Sequence, residues 1–94
     1  MERVLWFLIA GSRGGYNRAR ILKLLAERPR NAHQIAEKLG LNYKTVVHHL
    51  KLLLRHDLVV NPIKDEYGAP YFLSKQMEHY LSGLDRILEE EMGK

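Results

Sequence analysis

Apolar positions fall along the chain in blocks whose spacing changes from one block to the next. Val4-Leu-Trp-Phe-Leu-Ile-Ala10 is uninterrupted and closes on Gly11-Ser-Arg-Gly-Gly15. In so short a run, periodicity does not separate a buried strand from a short helix; its length and its Val, Trp, Phe and Ile favour a strand or extended segment. Asn17 stands where a helix cap belongs, Ile21, Leu22, Leu24 and Leu25 give Arg18–Arg28 an apolar face, and Pro29 follows the end. Asn31 caps a second helix, with Gln34 placed to complete a capping box and Ile35, Ala36 and Leu39 on one side. Gly40 is placed to end that helix in a left-handed conformation. Only Leu41 separates it from Asn42, the cap of a third helix from Tyr43 to about Arg55. Two helices joined so tightly must cross steeply.

Beyond Asp57 the pattern turns to short β-prone runs, Leu58-Val-Val60 and Pro70-Tyr-Phe-Leu73, separated by Asn61-Pro62 and Asp65-Glu-Tyr-Gly68. Turn formers between two such runs predict a hairpin. Ser74 then caps a last helix reaching to about Met92. The expected fold is mainly α with a small β-hairpin wing, a winged helix-turn-helix with an extra C-terminal helix. A chain of 94 residues makes a single domain. It divides into an N-terminal apolar segment and Gly-rich turn at 1–16, the winged helix at 17–73, and a C-terminal helix suited to dimerisation at 74–94.

On a helical projection the third helix has two unlike faces. With Val46 turned inward, Leu50 and Leu53 lie within about 40° of it, while Lys44, Val47, His48, Lys51 and Arg55 gather on the far side. Amines and guanidinium groups can bond guanine edges in a major groove, and methyl groups can touch thymine. Such helices lead with their N-terminal residues, so the first turn, Asn42-Tyr43-Lys44-Thr45, should lie deepest, with Val47 and His48 also near bases. Lys51 and Arg55, farther along, are placed for phosphates. An ordinary solvated surface is the plain alternative for a basic helical face. Its place between a capped short helix and a hairpin, an arrangement that pushes one helix outward, argues against that alternative.

Charge sharpens the picture. The formal net charge is +4, but residues 1–60 carry eleven Lys or Arg against four Asp or Glu, whereas residues 61–94 carry four against seven. A basic front and an acidic tail suit a front that meets a polyanion while the tail does something else. The chain has no cysteine, which removes disulfides, thiolate metal sites and cysteine nucleophiles. The longest apolar run, seven residues at Val4–Ala10, is far below the roughly 20 needed to span a bilayer, and it lies too near the start for a signal peptide. A cytoplasmic protein without membrane partners is expected.

Ala36, Gly40 and Val46 stand at the spacing that resembles the helix-turn-helix pattern, in which a small residue permits helix contact, glycine makes the turn and an aliphatic residue anchors the second helix. The longer series Ala19-Arg-Ile-Leu22, Gln34-Ile-Ala36, Thr45-Val46, His49-Leu-Lys51, Leu53, Leu58-Val59 and Tyr71-Phe-Leu73 resembles the ArsR-type winged-helix regulators, small archaeal members in particular, over roughly residues 17–74. The resemblance implies double-stranded DNA as partner and transcription regulation as function. It does not carry metal sensing, because the thiolates that metal-sensing members use are absent. Asp57 replaces the usual small residue before the Leu-Val pair. The wing tip, Lys64-Asp-Glu-Tyr-Gly68, is not strongly basic: Asp65 and Glu66 repel phosphate, leaving Lys64 and Tyr67 as its contacts to DNA.

Other chemistry finds less support. His48 and His49 diverge by about 100° on a helix and do not readily share an ion, and His33, His56 and His79 follow no ligand spacing, so neither metal nor other cofactor is expected. His49 packs at the core edge on this reading. Gly11-Ser-Arg-Gly-Gly15 lacks the Gly-Lys-Ser/Thr of a phosphate loop and reads as a flexible turn; a second use is contact of Arg13 and the loop amides with a DNA phosphate. Ser12, Ser74 and Ser82 occupy no nucleophile context, and a non-enzyme is expected.

The last helix carries Met77, Tyr80, Leu84 and Ile87 at steps of three, four and three, flanked by Leu81 and Leu88. This stripe can pair with a twin or pack on its own domain. The small core and the acidic Glu89-Glu-Glu91, best held away from DNA, favour a homodimer, with the N-terminal apolar run able to join the interface. The rival function is a protein-interaction winged helix within transcription machinery, for which the acidic wing tip speaks. Single-stranded nucleic acid would call for clustered exposed aromatics, and Tyr43 and Tyr67 are few. No effector and no sign of regulation can be read from the residues.

Overall fold

The computed structural model describes residues 2–63 and 68–92, with the side chains of 91 and 92 excepted. Helices α1 (Glu2–Ile9), α2 (Gly15–Glu27), α3 (Ala32–Leu39) and α4 (Tyr43–Arg55) lead into strands β1 (Val59–Val60) and β2 (Phe72–Leu73). Helices α5 (Lys75–His79) and α6 (Leu81–Ile87) and a π-helical turn at Leu88–Met92 complete the chain.

The N-terminal run is a helix, which corrects the strand expected from its composition. Leu5, Leu8 and Ile9, at steps of three and one, are buried, while Trp6 and Phe7 remain 47% and 56% exposed. A half-buried strand would alternate; this burial follows the helical period. The buried stripe lies against α2 and α6. The second correction is at the start of α2: Gly14, with φ of 85°, precedes the helix, and Asn17, expected as the cap, sits inside it. Asn17 Oδ1 instead accepts a hydrogen bond from Arg20 Nη1 at 3.0 Å. The chain turns so tightly between α1 and α2 that a Cβ on Gly15 would run into the Ile9 carbonyl.

The α3–α4 pair follows its sequence signals. Asn31 Oδ1 accepts from the Gln34 N–H at 2.8 Å, and Gln34 Oε1 accepts from the Asn31 N–H at 2.9 Å. Gly40 ends α3 at φ 67°, ψ 34°, a left-handed conformation that glycine adopts without a Cβ penalty. Asp57 takes the same role after α4 at φ 60°, with the Leu58 N–H donating to the Leu53 carbonyl at 2.9 Å. The non-glycine residue at this position therefore leaves the helix end closed.

The wing is a two-stranded antiparallel ladder pairing Val59 with Leu73 and Val60 with Phe72. Tyr71 and Arg30 exchange backbone hydrogen bonds of 2.8 and 3.3 Å, so the segment before α3 extends the ladder by one bridge. Arg30 is buried and donates to the Leu24 carbonyl and, at 3.2 Å, to Glu27 Oε1, tying that bridge to α2.

The tail is not one continuous helix as expected. Ser74 does cap it, accepting from the Met77 N–H at 3.0 Å. At Tyr80, however, φ is −104° and ψ 15°, and its N–H donates to the Met77 carbonyl at 2.9 Å, a three-residue spacing that breaks the α pattern. The bend sets Met77 of α5 and Leu84 and Ile87 of α6 into the same core as Ile21, Leu22, Ile35, Val46, Leu50 and Leu53. With Met77 fully buried, Met77→Ala is expected to cost about 2–5 kcal/mol in urea denaturation. A loss below about 0.5 kcal/mol, as for an exposed side chain, would show the tail lying free of the core.

Candidate nucleic-acid interface

Helix α4 is fixed from both ends and from behind. Asn42 Oδ1 accepts from the Lys44 N–H at 2.8 Å at the start, and the His56 N–H closes the last turn on the Leu52 carbonyl at 3.2 Å. Val46, Leu50 and Leu53 are all 0% exposed. Complete burial of three such side chains stabilises this seating by about 1.5–3 kcal/mol each.

The opposite face is open. Asn42, Tyr43, Lys44, Thr45, His48, Lys51 and Arg55 are exposed and Val47 is half-buried. Among the described residues the ion pairs are Lys23–Asp85, Arg30–Glu27 and Arg86–Glu2, so no carboxylate neutralises Lys44, Lys51 or Arg55. Tyr43, Lys44, Val47, His48 and Lys51 border one shallow groove along the helix. The Tyr43 ring stacks on His33 of α3, with centroids 4.2 Å apart and planes 18° from parallel, which fixes the aromatic at the crossing of the two helices. Lys64 and Tyr67, expected as wing contacts, lie outside the described residues.

The tail stripe is divided. Met77, Leu84 and Ile87 are buried in their own chain, so these three do not face outward for a twin. Tyr80, Leu81 and Leu88 are half-buried. Trp6 borders a groove with Gly83, Arg86 and Ile87, so α1 and α6 share one surface. Among the described residues no group of three His, Asp or Glu comes together as a metal site, and no helix is long and apolar enough to cross a membrane.

This geometry matches known proteins. The profile described as bacterial regulatory protein, arsR family, matches residues 16–60, which run from the first turn of α2 through β1. Over these residues the chain is similar to the arsR-family regulators, and its fold is a winged helix-turn-helix. Lactococcus lactis ZitR, wild type in complex with DNA, superposes with a TM-score of 0.64 at 26% identity, over 81% of this chain and 53% of that one. The B. subtilis transcriptional regulator YodB, in its reduced form, gives 0.70 at 19% identity over 88% and 81%. The transcriptional repressor CouR, bound to a 23-mer DNA duplex, gives 0.68 at 20% over 95% and 67%. The chain spans about half the length of ZitR. YodB and CouR, at these identities, show the fold. A search of curated protein sequences gives no match.

Behind the exposed face, the domain holds a polar cluster that sequence reasoning missed. Arg18 of α2 is only 2% exposed. Its Nε donates to the Leu8 carbonyl at 2.8 Å, Nη1 contacts His49 Nδ1 at 3.1 Å, and Nη2 donates to Ser12 Oγ and the Arg13 carbonyl, both at 2.6 Å. One side chain thus joins α1, the glycine-rich loop, α2 and α4. A signal was present: Arg18 occupies the same helical stripe as Ile21, Leu22 and Leu25, a basic residue on the apolar side. Because Arg18 has only hydrogens to offer, His49 Nδ1 must accept and the ring is neutral. Burial foremost, then the Arg18 guanidinium and His48, holds the His49 imidazole below its ordinary value. The unfolded chain therefore takes up this proton first as pH falls. Stability from the neutral ring is fully present above about pH 6.5, the ordinary histidine value, and is lost as pH drops toward the lower folded value. In urea unfolding from about pH 8 to 5, the wild type should lose stability relative to His49→Gln below that point. A constant difference across the range would mean that His49 protonation is unlinked to folding.

Proposed function

We propose that the protein is a sequence-specific double-stranded DNA-binding transcription regulator that lays α4 in the major groove, acting as a homodimer in the cytoplasm and without catalysis. The observation that carries this reading is the division of α4 between a fully buried Val46, Leu50 and Leu53 and an exposed Lys44, His48, Lys51 and Arg55, none of them in an ion pair among the described residues. A rod anchored on one side and cationic on the other gains free energy in a polyanionic groove by displacing condensed counterions. In this reading Asn42, Tyr43, Lys44, Thr45, Val47 and His48 lie at base edges, while Lys51 and Arg55 hold phosphates. Lys64 and Tyr67 add contacts from the wing. ZitR in its DNA complex and CouR on its duplex support the reading by analogy.

The homodimer is supported by the apolar surface left on the terminal helices. Trp6 and Phe7 are exposed on α1, and Tyr80, Leu81 and Leu88 are half-exposed on the tail, where a second copy can cover them. A two-fold pair presents two α4 helices to successive major grooves, roughly 34–36 Å apart, and requires a pseudo-palindromic site. Sedimentation equilibrium should therefore give a dimer that Trp6→Glu converts to monomer; a monomeric wild type removes this part of the proposal.

Selection of bound duplexes from random DNA tests the function as a whole, with an inverted repeat as the expected product and an unenriched pool as the contrary result. On a selected duplex, replacing Lys44 and Lys51 together by Ala should weaken binding by at least about tenfold and flatten its salt dependence, with the circular dichroism spectrum unchanged. Unaltered affinity would place the DNA on another face.

A further inference from the structure

A cleft of about 510 Å³ opens between the loop after α1 and the first turns of α4, lined by Arg13, Gly14, Arg18, Lys44, His48 and His49. Among the described residues no carboxylate lines it. At one wall lies Arg18, whose guanidinium is buried yet hydrogen-bonded only to neutral acceptors: two backbone carbonyls, a serine hydroxyl and an imidazole. Buried cations are ordinarily matched by a carboxylate or another anion, because desolvation of an uncompensated charge is costly. Among the described residues no carboxylate forms an ion pair with Arg18.

The guanidinium has five N–H hydrogens and these contacts occupy four, leaving one on Nη1. Gly14 closes directly on that corner: a Cβ there would come within 2.6 Å of His49 Cε1 and 3.0 Å of Arg18 Nη1, and its φ of 85° suits glycine. Helix α2 begins at this glycine with no side-chain cap, so backbone N–H groups of its first turn are left without an intrahelical or side-chain partner. Arg13 and Lys44, both exposed, stand at the mouth from opposite sides.

We propose that this cleft is a phosphate-binding site in which the bound group supplies the negative charge that Arg18 lacks, held by Arg13 and by the start of α2. The phosphate is either one unit of the DNA backbone, seated as α4 enters the groove, or a free phosphate or phosphorylated small molecule. The first source rests on the function proposed above, and the second stands without it. In both cases occupancy ties the glycine-rich loop to α4, because Arg18 and His49 belong to both sides of the cleft.

Two measurements on the full chain separate the sources. Inorganic phosphate is titrated at constant ionic strength against chloride, following the Gly14 amide and His49 ring resonances. Single neutral methylphosphonates are then placed in turn along a selected duplex. Arg13→Gln is the variant, because only the Arg13 carbonyl serves the Arg18 network and the fold does not depend on its side chain. A backbone site predicts one phosphonate position that weakens wild-type binding by about tenfold or more but scarcely affects Arg13→Gln, and a salt slope about one unit smaller in the variant. A free-phosphate site predicts saturable shifts of Gly14 and His49, weakened about tenfold or more in Arg13→Gln, with no such position on the duplex. Saturable phosphate binding by a chain that selects no duplex would keep the cleft and remove the DNA reading. Duplex binding with neither a phosphate response nor an Arg13-coupled position would remove the cleft and keep the DNA reading.

Discussion

The seating of Val46, Leu50 and Leu53 is the constraint from which the rest follows. Three aliphatic side chains on one stripe of a 13-residue helix are withdrawn completely from water, and a helix held that way has no freedom to roll. Everything on its other side is thereby turned outward, including Lys44, His48 and Lys51. The left-handed Gly40 and the Asn42 cap set the crossing of α3 and α4, and the wing and tail close the core from the far side. Burial of the stripe therefore determines which residues are available for a partner before any partner is considered.

Legibility in the sequence tracked the locality of the force. The Asn31–Gln34 capping box, the Gly40 turn, the Asn42 cap and the bounds of α4 are each set within four or five residues, and the structure has them where the pattern places them. Elements decided by distant packing were read less well. Val4–Ala10 carries residues that suit strands, yet α2 and α6 offer Leu5, Leu8 and Ile9 a surface to which only a helical spacing conforms. The tail reads as one helix because each residue is locally compatible with helix; its bend at Tyr80 arises from seating Met77, Leu84 and Ile87 on a shared core. Asn17 looked like a cap because its side chain can cap, but the close passage of α1 over Gly15 starts the helix earlier.

The candidate site divides along the same line. Exposure of the basic side chains on α4 follows from a helical projection of one segment. The Arg18 cluster does not, since it is assembled from α1, the loop, α2 and α4, with Arg18 reaching His49 across 31 positions of the chain. A charged residue on an apolar stripe was its one local sign. The cluster also shows how a basic chain can keep a cation inside its core: hydrogen bonds to Leu8, Ser12, Arg13 and His49 replace lost hydration while leaving the charge itself uncompensated.

The function turns on which surface meets nucleic acid. Nuclear magnetic resonance of the labelled chain titrated with a selected duplex maps that surface directly. The outward set of α4 predicts the largest shifts at Lys44, Thr45, His48 and Lys51, with Val46, Leu50 and Leu53 keeping their packed environment. Shifts confined to the tail or to α3, with the exposed side of α4 unmoved, would contradict it.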